Sequence, residues 1–164
     1  MAVCHRTVPW SIRVGNMLSP SIRVQKQSAG EKNVVPQSVR VQEEKLTVFA
    51  PATGRGVALA DVPDPVFSSK AVGDGLGIEP ADDGAIVSPV NATVTMVAGT
   101  GHAIGFKSES GLEVLLHLGV DTVELEGAPF DLSVKVGDTV KAGQSLGTMD
   151  LGAVRAAGKA TTAI

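Results

Sequence analysis

Residues 102–118 read His-Ala-Ile-Gly-Phe-Lys-Ser-Glu-Ser-Gly-Leu-Glu-Val-Leu-Leu-His-Leu. A mainly apolar run at 104–107 leads into turn-forming residues at 108–111, and a second run rich in aliphatic residues follows at 112–118. Serine and glycine favour a chain reversal, whereas the aliphatic and aromatic residues on either side favour strands. The stretch therefore predicts a β-hairpin with a histidine at each of its open ends.

The length of the hairpin loop determines which residues face each other. A two-residue loop at 109–110, or a four-residue loop at 108–111, places His102 directly opposite His117 on one face, with Cβ atoms ~5 Å apart. A one- or three-residue loop would place the two imidazoles on opposite faces. We predict the first arrangement, in which Ile104 and Leu115 share the outer face with the histidines. An apolar outer face of this kind is typical of a surface that docks another protein.

Paired imidazoles have more than one use in proteins. A neutral imidazole nitrogen is a good nucleophile near pH 7 and can form a phosphoramidate, while a second imidazole can donate to the phosphoryl oxygens. His102 and His117 could equally hold zinc, or share a sheet face by chance. The spacing alone leaves these three interpretations open.

The chain around the hairpin is dominated by short β-branched runs separated by glycine, proline and aspartate. This rhythm predicts an all-β sandwich or barrel. Residues 50–54 resemble residues 88–92, which indicates an internal duplication, and one short helix is expected at 153–157. The predicted strands are 46–49, 56–59, 85–87, 93–97, 104–107, 112–118 and 134–136.

Composition narrows the class of protein. The chain has 164 residues with a formal net charge of -3, which fits one domain with a tail and shows no basic stripe for nucleic acid. Cys4 is the single cysteine, so neither an internal disulfide nor a thiolate metal site is expected. No apolar run approaches the ~20 residues needed to span a bilayer, so membrane insertion is not expected. We expect a cytoplasmic protein.

Residues 1–45 differ from the rest in carrying prolines, serines, glutamines and most of the arginines. They are expected to form a disordered leader or linker. Three look-alike segments occur at 11–14, 21–24 and 38–41, each reading Ser-Ile/Val-Arg-Val. They are interpreted as chance similarity within a linker, with a repeated docking motif as the alternative.

Residues 117–127, His-Leu-Gly-Val-Asp-Thr-Val-Glu-Leu-Glu-Gly, resemble the active-site motif of glucose-type enzyme IIA domains of the bacterial phosphoenolpyruvate sugar phosphotransferase system. The resemblance extends in unbroken order over residues 46 to 160. It implies an all-β, duplicated sandwich or barrel (a barrel-sandwich hybrid) with at most short helices. The other matching segments are 61–67, 72–75, Pro80, 88–90, 99–103, 136–140 and 143–146.

The resemblance implies a phosphotransferase-system phosphocarrier that relays a phosphoryl group during sugar uptake. His117 corresponds to the histidine that accepts the group from HPr and passes it to an enzyme IIB domain. His102 corresponds to the histidine that steadies the group and is needed for onward transfer. Thr100 matches a threonine that hydrogen-bonds within the site, and Asp121 matches a nearby acidic residue.

The resemblance also implies partner contacts and no required cofactor. Zinc at His102 and His117 remains an option, and the alternative function is a zinc-binding or regulatory module without phosphotransfer. The family often has phenylalanines where this chain has Ala98 and Leu115, and it ends with a strand after the short helix. The domain at 46–164 is therefore expected to lack its final strand. The residues expected to dock partners are Val66, Phe67, Ile104 and Leu115.

Three rival motifs fail on particular residues. The glycine-rich stretch at 99–105 lacks the third glycine of a dinucleotide fingerprint, because that position is Ile104. A zinc peptidase would need a third ligand, but Phe106 and Leu115 occupy the corresponding positions. A biotinyl- or lipoyl-type carrier would present a lysine at a hairpin tip beside methionine, and neither Lys107 nor Lys141 has that neighbour.

Overall fold

The structure, a computed structural model, describes residues 3–4, 10–11, 47–81 and 84–164. The expected leader at 1–45 lies outside these residues except for two short strands. These are β1 (Val3–Cys4), which pairs with residues 54–55, and β2 (Trp10–Ser11), which pairs with residues 47–48.

Short strands make up most of the regular secondary structure in the remaining residues, and the helices are one or two turns long. The helices are α1 (Pro65–Ser68) and α2 (Leu151–Ala156), with 3-10 turns at Leu59–Asp61 and Thr122–Leu125. None of the helices in the described part of the chain is long and apolar enough to cross a bilayer. The strands are β3 (Thr47–Val48), β4 (Gly54–Ala58), β5 (Leu76–Pro80), β6 (Ala85–Val87), β7 (Ala92–Val97), β8 (Ala103–Ser108), β9 (Glu113–Val120), β10 (Phe130–Leu132), β11 (Thr139–Val140), β12 (Ser145–Met149) and β13 (Ala160–Ala163).

Two sheets enclose one main core. The larger has the order β1-β4-β5-β13-β9-β8-β7-β11, and the smaller has the order β10-β12-β6. Ile86 and Leu146 of the smaller sheet pack in one buried cluster with Val94, Phe106 and Leu118 of the larger sheet. The predicted all-β fold with short helices is confirmed.

The prediction of a strand at 134–136 is wrong. These residues lead into a turn in which the Lys135 N–H donates to an Asp138 carboxylate oxygen at 2.8 Å, and Gly137 has a φ of +95°. The strand lies earlier, as β10. The predicted helix at 153–157 begins two residues sooner, because Asp150 caps it by accepting a hydrogen bond from the Ala153 N–H at 2.9 Å.

The hairpin has a different register from the predicted one. Ile104 pairs with Leu116, and Ala103 pairs with His117. The loop has three residues, because Ser108 and Leu112 close the ladder and the Gly111 N–H donates to the Ser108 carbonyl at 2.9 Å. Gly111 has a φ of +88°, the left-handed conformation that three-residue hairpin loops require at this position.

The four residues Ala160–Ala163 form a strand where only the start of one was expected. β13 lies inside the larger sheet, between β5 and β9, and not at its edge. Its ladder is extended by Ile164, which exchanges both backbone hydrogen bonds with His117 at 2.8 Å. The domain was expected to lack the strand after α2, but residues Ala160–Ala163 form one.

The two similar segments around Pro51 and Pro89, residues 50–54 and 88–92, lie next to each other. The Phe49 N–H donates to the Pro89 carbonyl, and the Val87 N–H donates to the Pro51 carbonyl, both at 2.8 Å. The segments therefore run antiparallel to each other. This pairing is consistent with an internal duplication, which stays a prediction.

Candidate functional site

The imidazole rings of His102 and His117 meet at one end of the β8–β9 hairpin. Their centroids are 5.2 Å apart and their planes are inclined at 70°. The structure thus brings the two predicted histidines together, although the predicted register is wrong.

His102 reaches His117 because it lies outside the regular strand. β8 begins at Ala103, and Gly101 before it has a φ of +69° within a turn closed by its N–H donating to the Ala98 carbonyl at 2.8 Å. The alternation of faces that holds in β8 does not extend to His102. Two errors in the sequence prediction, one in the register and one in treating His102 as a strand residue, cancel each other.

His117 is held in one tautomer by its own strand. Its Nδ1 lies 2.7 Å from the carbonyl oxygen of Gly119, and since a carbonyl can only accept, Nδ1 carries the proton. In the neutral ring the lone pair therefore resides on Nε2. The arrangement leaves Nε2 as the nucleophilic atom.

Gly119 makes this contact in a conformation that other residues rarely adopt. Its φ is +79°, and a Cβ built on it would collide with Cγ2 of Thr122 and lie 2.8 Å from the Ala160 carbonyl oxygen. The Thr122 hydroxyl donates to the Leu118 carbonyl at 2.6 Å, which holds Thr122 against this segment. A glycine is thus required for both conformation and space.

Thr100 forms a hydrogen bond with a ring nitrogen of His102, as Gly119 does with His117. Its hydroxyl oxygen lies 2.5 Å from Nδ1 of His102. When the hydroxyl donates this hydrogen bond, the proton of the neutral ring is on Nε2, from which it can be donated to an anion. The predicted role of Thr100 as a hydrogen-bonding partner within the site agrees with this contact.

Burial favours the neutral form of both rings. It lowers the pKa of His102 below the usual value. It also lowers the pKa of His117, where the nearby His102 acts in the same direction. The hydrogen bond to Gly119 and the charges of Asp64 and Asp121 oppose that shift without cancelling it.

Asp121 and Asp64 act on His117 through their charge. Asp121 directly follows β9, with a φ of +56°, and its side chain is exposed. Asp64 caps α1, accepting hydrogen bonds from the backbone N–H groups of Val66 and Phe67. Asp121 was a predicted site residue, but Asp64 was not. The available signal was Pro65 directly after Asp64, because proline favours the first position of a helix.

The short helix α1 covers one side of His117. The Phe67 ring lies 5.0 Å from the His117 ring, centroid to centroid, and only 9% of Phe67 is exposed. Phe67 therefore contributes to the burial of the imidazole and offers little surface to a partner. Val66, the neighbouring residue, is about half exposed.

The prediction that Ile104 docks a partner is wrong. With the observed register it points into the core and is fully buried, whereas Leu115 is 42% exposed on the outer face. Met96 of β7 pairs with Gly105, which in turn pairs with Leu115, so Met96 occupies the same outer row. Met96 is 40% exposed and was not among the predicted docking residues.

A zinc site at the histidine pair gains no support from the surroundings. Among the described residues, no group of three or more histidine, cysteine, aspartate or glutamate side chains is arranged to hold a metal ion. Structural zinc sites use four protein ligands and catalytic ones use three. His102 and His117 alone therefore fall short of either class.

Known proteins with similar sequences and structures indicate the family of this chain. Residues 46–164 match the family model described as phosphoenolpyruvate-dependent sugar phosphotransferase system, EIIA 1. A solved structure, glucose permease IIA from Mycoplasma capricolum, is 35% identical with a TM-score of 0.66, covering 71% of this chain and 77% of the other.

Curated relatives give the same family. The glucose-specific EIICBA component of Streptococcus pneumoniae is 52% identical over 117 residues, which are 71% of this chain and 16% of that protein. The glucose-specific EIIA component of Staphylococcus epidermidis is 45% identical over 66% of this chain and 65% of its own length. For the EIIA component of Oceanobacillus iheyensis the identity is 43%, over 75% and 73%. The chain thus spans a small part of the first relative and just under two thirds of the second. By family and by fold, it belongs to the EIIA 1 family of the phosphoenolpyruvate-dependent sugar phosphotransferase system.

Proposed function

We propose that this domain relays a phosphoryl group in sugar uptake, accepting it on Nε2 of His117 from phospho-HPr and passing it to an enzyme IIB domain. The observation that carries the proposal is the hydrogen bond from Nδ1 of His117 to Gly119, which leaves Nε2 as the free nitrogen. The nearby ring of His102 supplies a donor for the phosphoryl oxygens. We further propose that the relay works in the cytoplasm.

The transfer exchanges one nitrogen–phosphorus bond for another. Nε2 of His117 attacks phosphorus in line with the donor nitrogen, the new bond forms, and the donor imidazole leaves with its electron pair. The proton on Nδ1 of His117 stays in place. Positive charge that develops on the ring is stabilised by the Gly119 carbonyl and by the carboxylates of Asp64 and Asp121, which favour the charged ring.

The surroundings of the ring suit this exchange. Depressed pKa values favour the neutral form of both imidazoles, so His117 can attack without first losing a proton. Leu115, Met96 and Val66 are exposed apolar residues on the strands and the helix around His117. We propose that these residues dock HPr and the IIB domain, and that positioning accounts for most of the rate.

The test is intact-protein mass spectrometry at neutral to alkaline pH, after incubation with phosphoenolpyruvate, enzyme I and HPr. An acid-labile gain of one phosphoryl group is expected for the natural chain and for His5→Gln, which alters the histidine remote in sequence from the pair. His117→Gln should gain nothing. Equal phosphorylation of His117→Gln and the natural chain, or none in a folded natural chain, would contradict the proposal.

The role of His102 is tested in a second step. His102→Gln should still accept the group on His117, but the phosphorylated variant should transfer it to a IIB domain at least about 100-fold more slowly, as for loss of one transition-state donor. The measurement is the decay of the phosphorylated mass after adding IIB. Decay at the natural rate would show that His102 has no part in donation.

A further inference from the structure

Thr122 places a fully buried hydroxyl group in the turn that follows β9. It comes directly after Asp121, whose φ of +56° ends the extended conformation of the strand. The Thr122 hydroxyl donates to the Leu118 carbonyl at 2.6 Å. In the described part of the chain it forms no hydrogen bond with either imidazole. Any part that Thr122 has in the site is therefore exerted through the backbone that carries the histidines.

The Leu118 carbonyl lies where the β8–β9 ladder stops. If the register is continued by one pair beyond Ala103 and His117, His102 lies opposite Leu118. Such a pair in a regular ladder exchanges two backbone hydrogen bonds. Here the Leu118 N–H donates to the His102 carbonyl at 2.7 Å, but among the described residues the return bond from the His102 N–H is not formed. The Thr122 hydroxyl takes its place on the Leu118 carbonyl, so His102 leaves the strand without leaving a buried acceptor unpaired.

The methyl group of Thr122 packs against Gly119. A Cβ built on Gly119 would collide with that methyl group and lie 2.8 Å from the Ala160 carbonyl oxygen, so the glycine is enclosed on this face. The peptide group before Gly119 is anchored by the Thr122 hydroxyl, and the residue after it, Val120, pairs with Ala160 of β13. Because both flanking groups are held, the φ of +79° and the direction of the Gly119 carbonyl are fixed. This carbonyl is the one that accepts a hydrogen bond from Nδ1 of His117 at 2.7 Å.

We infer that Thr122 is a positioning residue for the proposed phosphoryl acceptor. Its hydroxyl anchors the Leu118 carbonyl and its methyl group holds Gly119, and together they keep the Gly119 carbonyl on Nδ1 of His117. The same hydroxyl compensates the backbone at the point where His102 leaves β8. The inference rests on the proposed function, because a fixed tautomer matters to transfer only if Nε2 of His117 attacks phosphorus. Rigid support of this kind places a reacting atom before the partner arrives.

The competing explanation is that Thr122 only stabilises the turn, as any buried threonine with a hydrogen bond would. Thr162 of β13 offers a matched control, because its side chain is also fully buried. Its hydroxyl donates to a carboxylate oxygen of Glu79, and its methyl group lies against Gly77. Both of these partners belong to β5, on the side of β13 away from β9. Thr162→Val therefore removes a buried hydroxyl of the same kind without altering the segment next to His117.

The test observes the ring nitrogens of His117 by NMR in the isotopically labelled full chain, at a pH above the pKa of both site histidines. In the natural chain the proton should reside on Nδ1. Thr122→Val keeps the shape of the side chain but removes the hydroxyl, so the proton should be distributed over Nδ1 and Nε2. Thr122→Ser keeps the hydroxyl and should largely restore the Nδ1 tautomer. Thr162→Val should unfold at a lower urea concentration, as Thr122→Val does, yet keep the natural tautomer.

Transfer kinetics should follow the tautomer. Phosphorylation of His117 by phospho-HPr should slow by about 10- to 100-fold in Thr122→Val, because a displaced reacting atom costs up to about 100-fold. It should change little in Thr122→Ser and in Thr162→Val. If Thr122→Val does not fold, Thr122→Ala removes the same hydroxyl, leaves room for the backbone to relax and carries the same expectation.

Two results would overturn the inference. One is a natural His117 tautomer in the folded Thr122→Val or Thr122→Ala variant. The other is a change of tautomer in Thr162→Val as large as that in Thr122→Val, which would mean that any loss of packing releases the ring. Neither measurement requires HPr or phosphoenolpyruvate. A natural chain with the Nδ1 tautomer that accepts no phosphoryl group would instead contradict the proposed function and leave the positioning of the ring by Thr122 intact.

Discussion

The carbonyl oxygen of Gly119 accepts a hydrogen bond from Nδ1 of His117, two residues earlier in the same strand. The contact determines which nitrogen of the proposed acceptor is free. It depends on a left-handed residue within β9, packed tightly against Thr122 and Ala160. The orientation of the proposed phosphoryl acceptor is therefore built into the backbone of the strand that carries it.

Replacement of Gly119 by alanine should damage both stability and transfer. The left-handed conformation costs an alanine about 1–2 kcal/mol, and the collision with Thr122 adds to that cost. Displacement of the carbonyl should lower the pKa of His117 further, because the hydrogen bond raises it. Urea unfolding and NMR titration of the ring measure the two effects. Gly137→Ala is the matched control, with a φ of +95° and open space around its Cβ, and it should lose only the first increment. Equal losses in the two variants would contradict the argument.

Thr100→Val should impair donation more than acceptance. The substitution keeps the shape of the side chain but removes the hydroxyl that contacts Nδ1 of His102. The ring then loses its preferred tautomer, and onward transfer should slow by roughly 10- to 100-fold, the loss typical of removing a partner that orients a metal-bound histidine. The measurement compares rates of phosphorylation and dephosphorylation with Thr93→Val, an exposed position on β7, as control. A uniform loss in both steps would argue for a general structural defect.

Stability should fall as the pH drops below about 6.5, the usual histidine pKa. Both site histidines have pKa values lowered in the folded state, so the unfolded chain binds their protons first. The contribution of these two histidines to the free energy of unfolding is fully present above the pKa of the unfolded chain. It is lost as the pH falls from there to the pKa of the folded protein. In urea unfolding across this range, His117→Gln should show a shallower dependence on pH than the natural chain. Parallel curves would mean that burial of His117 does not perturb its titration.

The observed register makes opposite predictions for two neighbouring aliphatic residues. Ile104→Ala should lower the free energy of unfolding by about 2–5 kcal/mol, because Ile104 is fully buried. Leu115→Ala should change it by no more than about 0.5 kcal/mol, yet raise the concentration of HPr needed for half-maximal transfer. Chemical unfolding and transfer kinetics separate the two. Comparable stability losses would indicate that the register differs from the one described.

The class of fold and the site residues could be predicted from the sequence better than the register of the strands. Short punctuated strands and the motif around His117 predicted the all-β fold and the family, and His102, His117 and Thr100 do meet. The register failed because a loop of two or four residues was assumed. Gly111, at the end of the turn, was the available signal for a three-residue loop with a left-handed last residue.

Other features depend on contacts between distant segments, which local patterns do not contain. β5 and β12 include glycines at Gly77 and Gly147 that weaken the strand pattern, yet backbone pairing with β4 and β10 holds them in the sheets. The charge of Asp64 acts on His117 only because α1 folds over the ring, as the contact with Phe67 shows. Neither relationship follows from spacing along the chain.

The pairing of Ile164 with His117 has a consequence for biosynthesis. During translation β9 leaves the ribosome well before β13, and the hydrogen bonds from Ile164 to the backbone of His117 can form only after both have emerged. Long-range pairings of this kind close late, because the entropy of the intervening chain must be lost first. A nascent chain that already carries both histidines therefore still lacks the backbone hydrogen bonds from Ile164 to His117, and the site should be completed only after β13 has emerged.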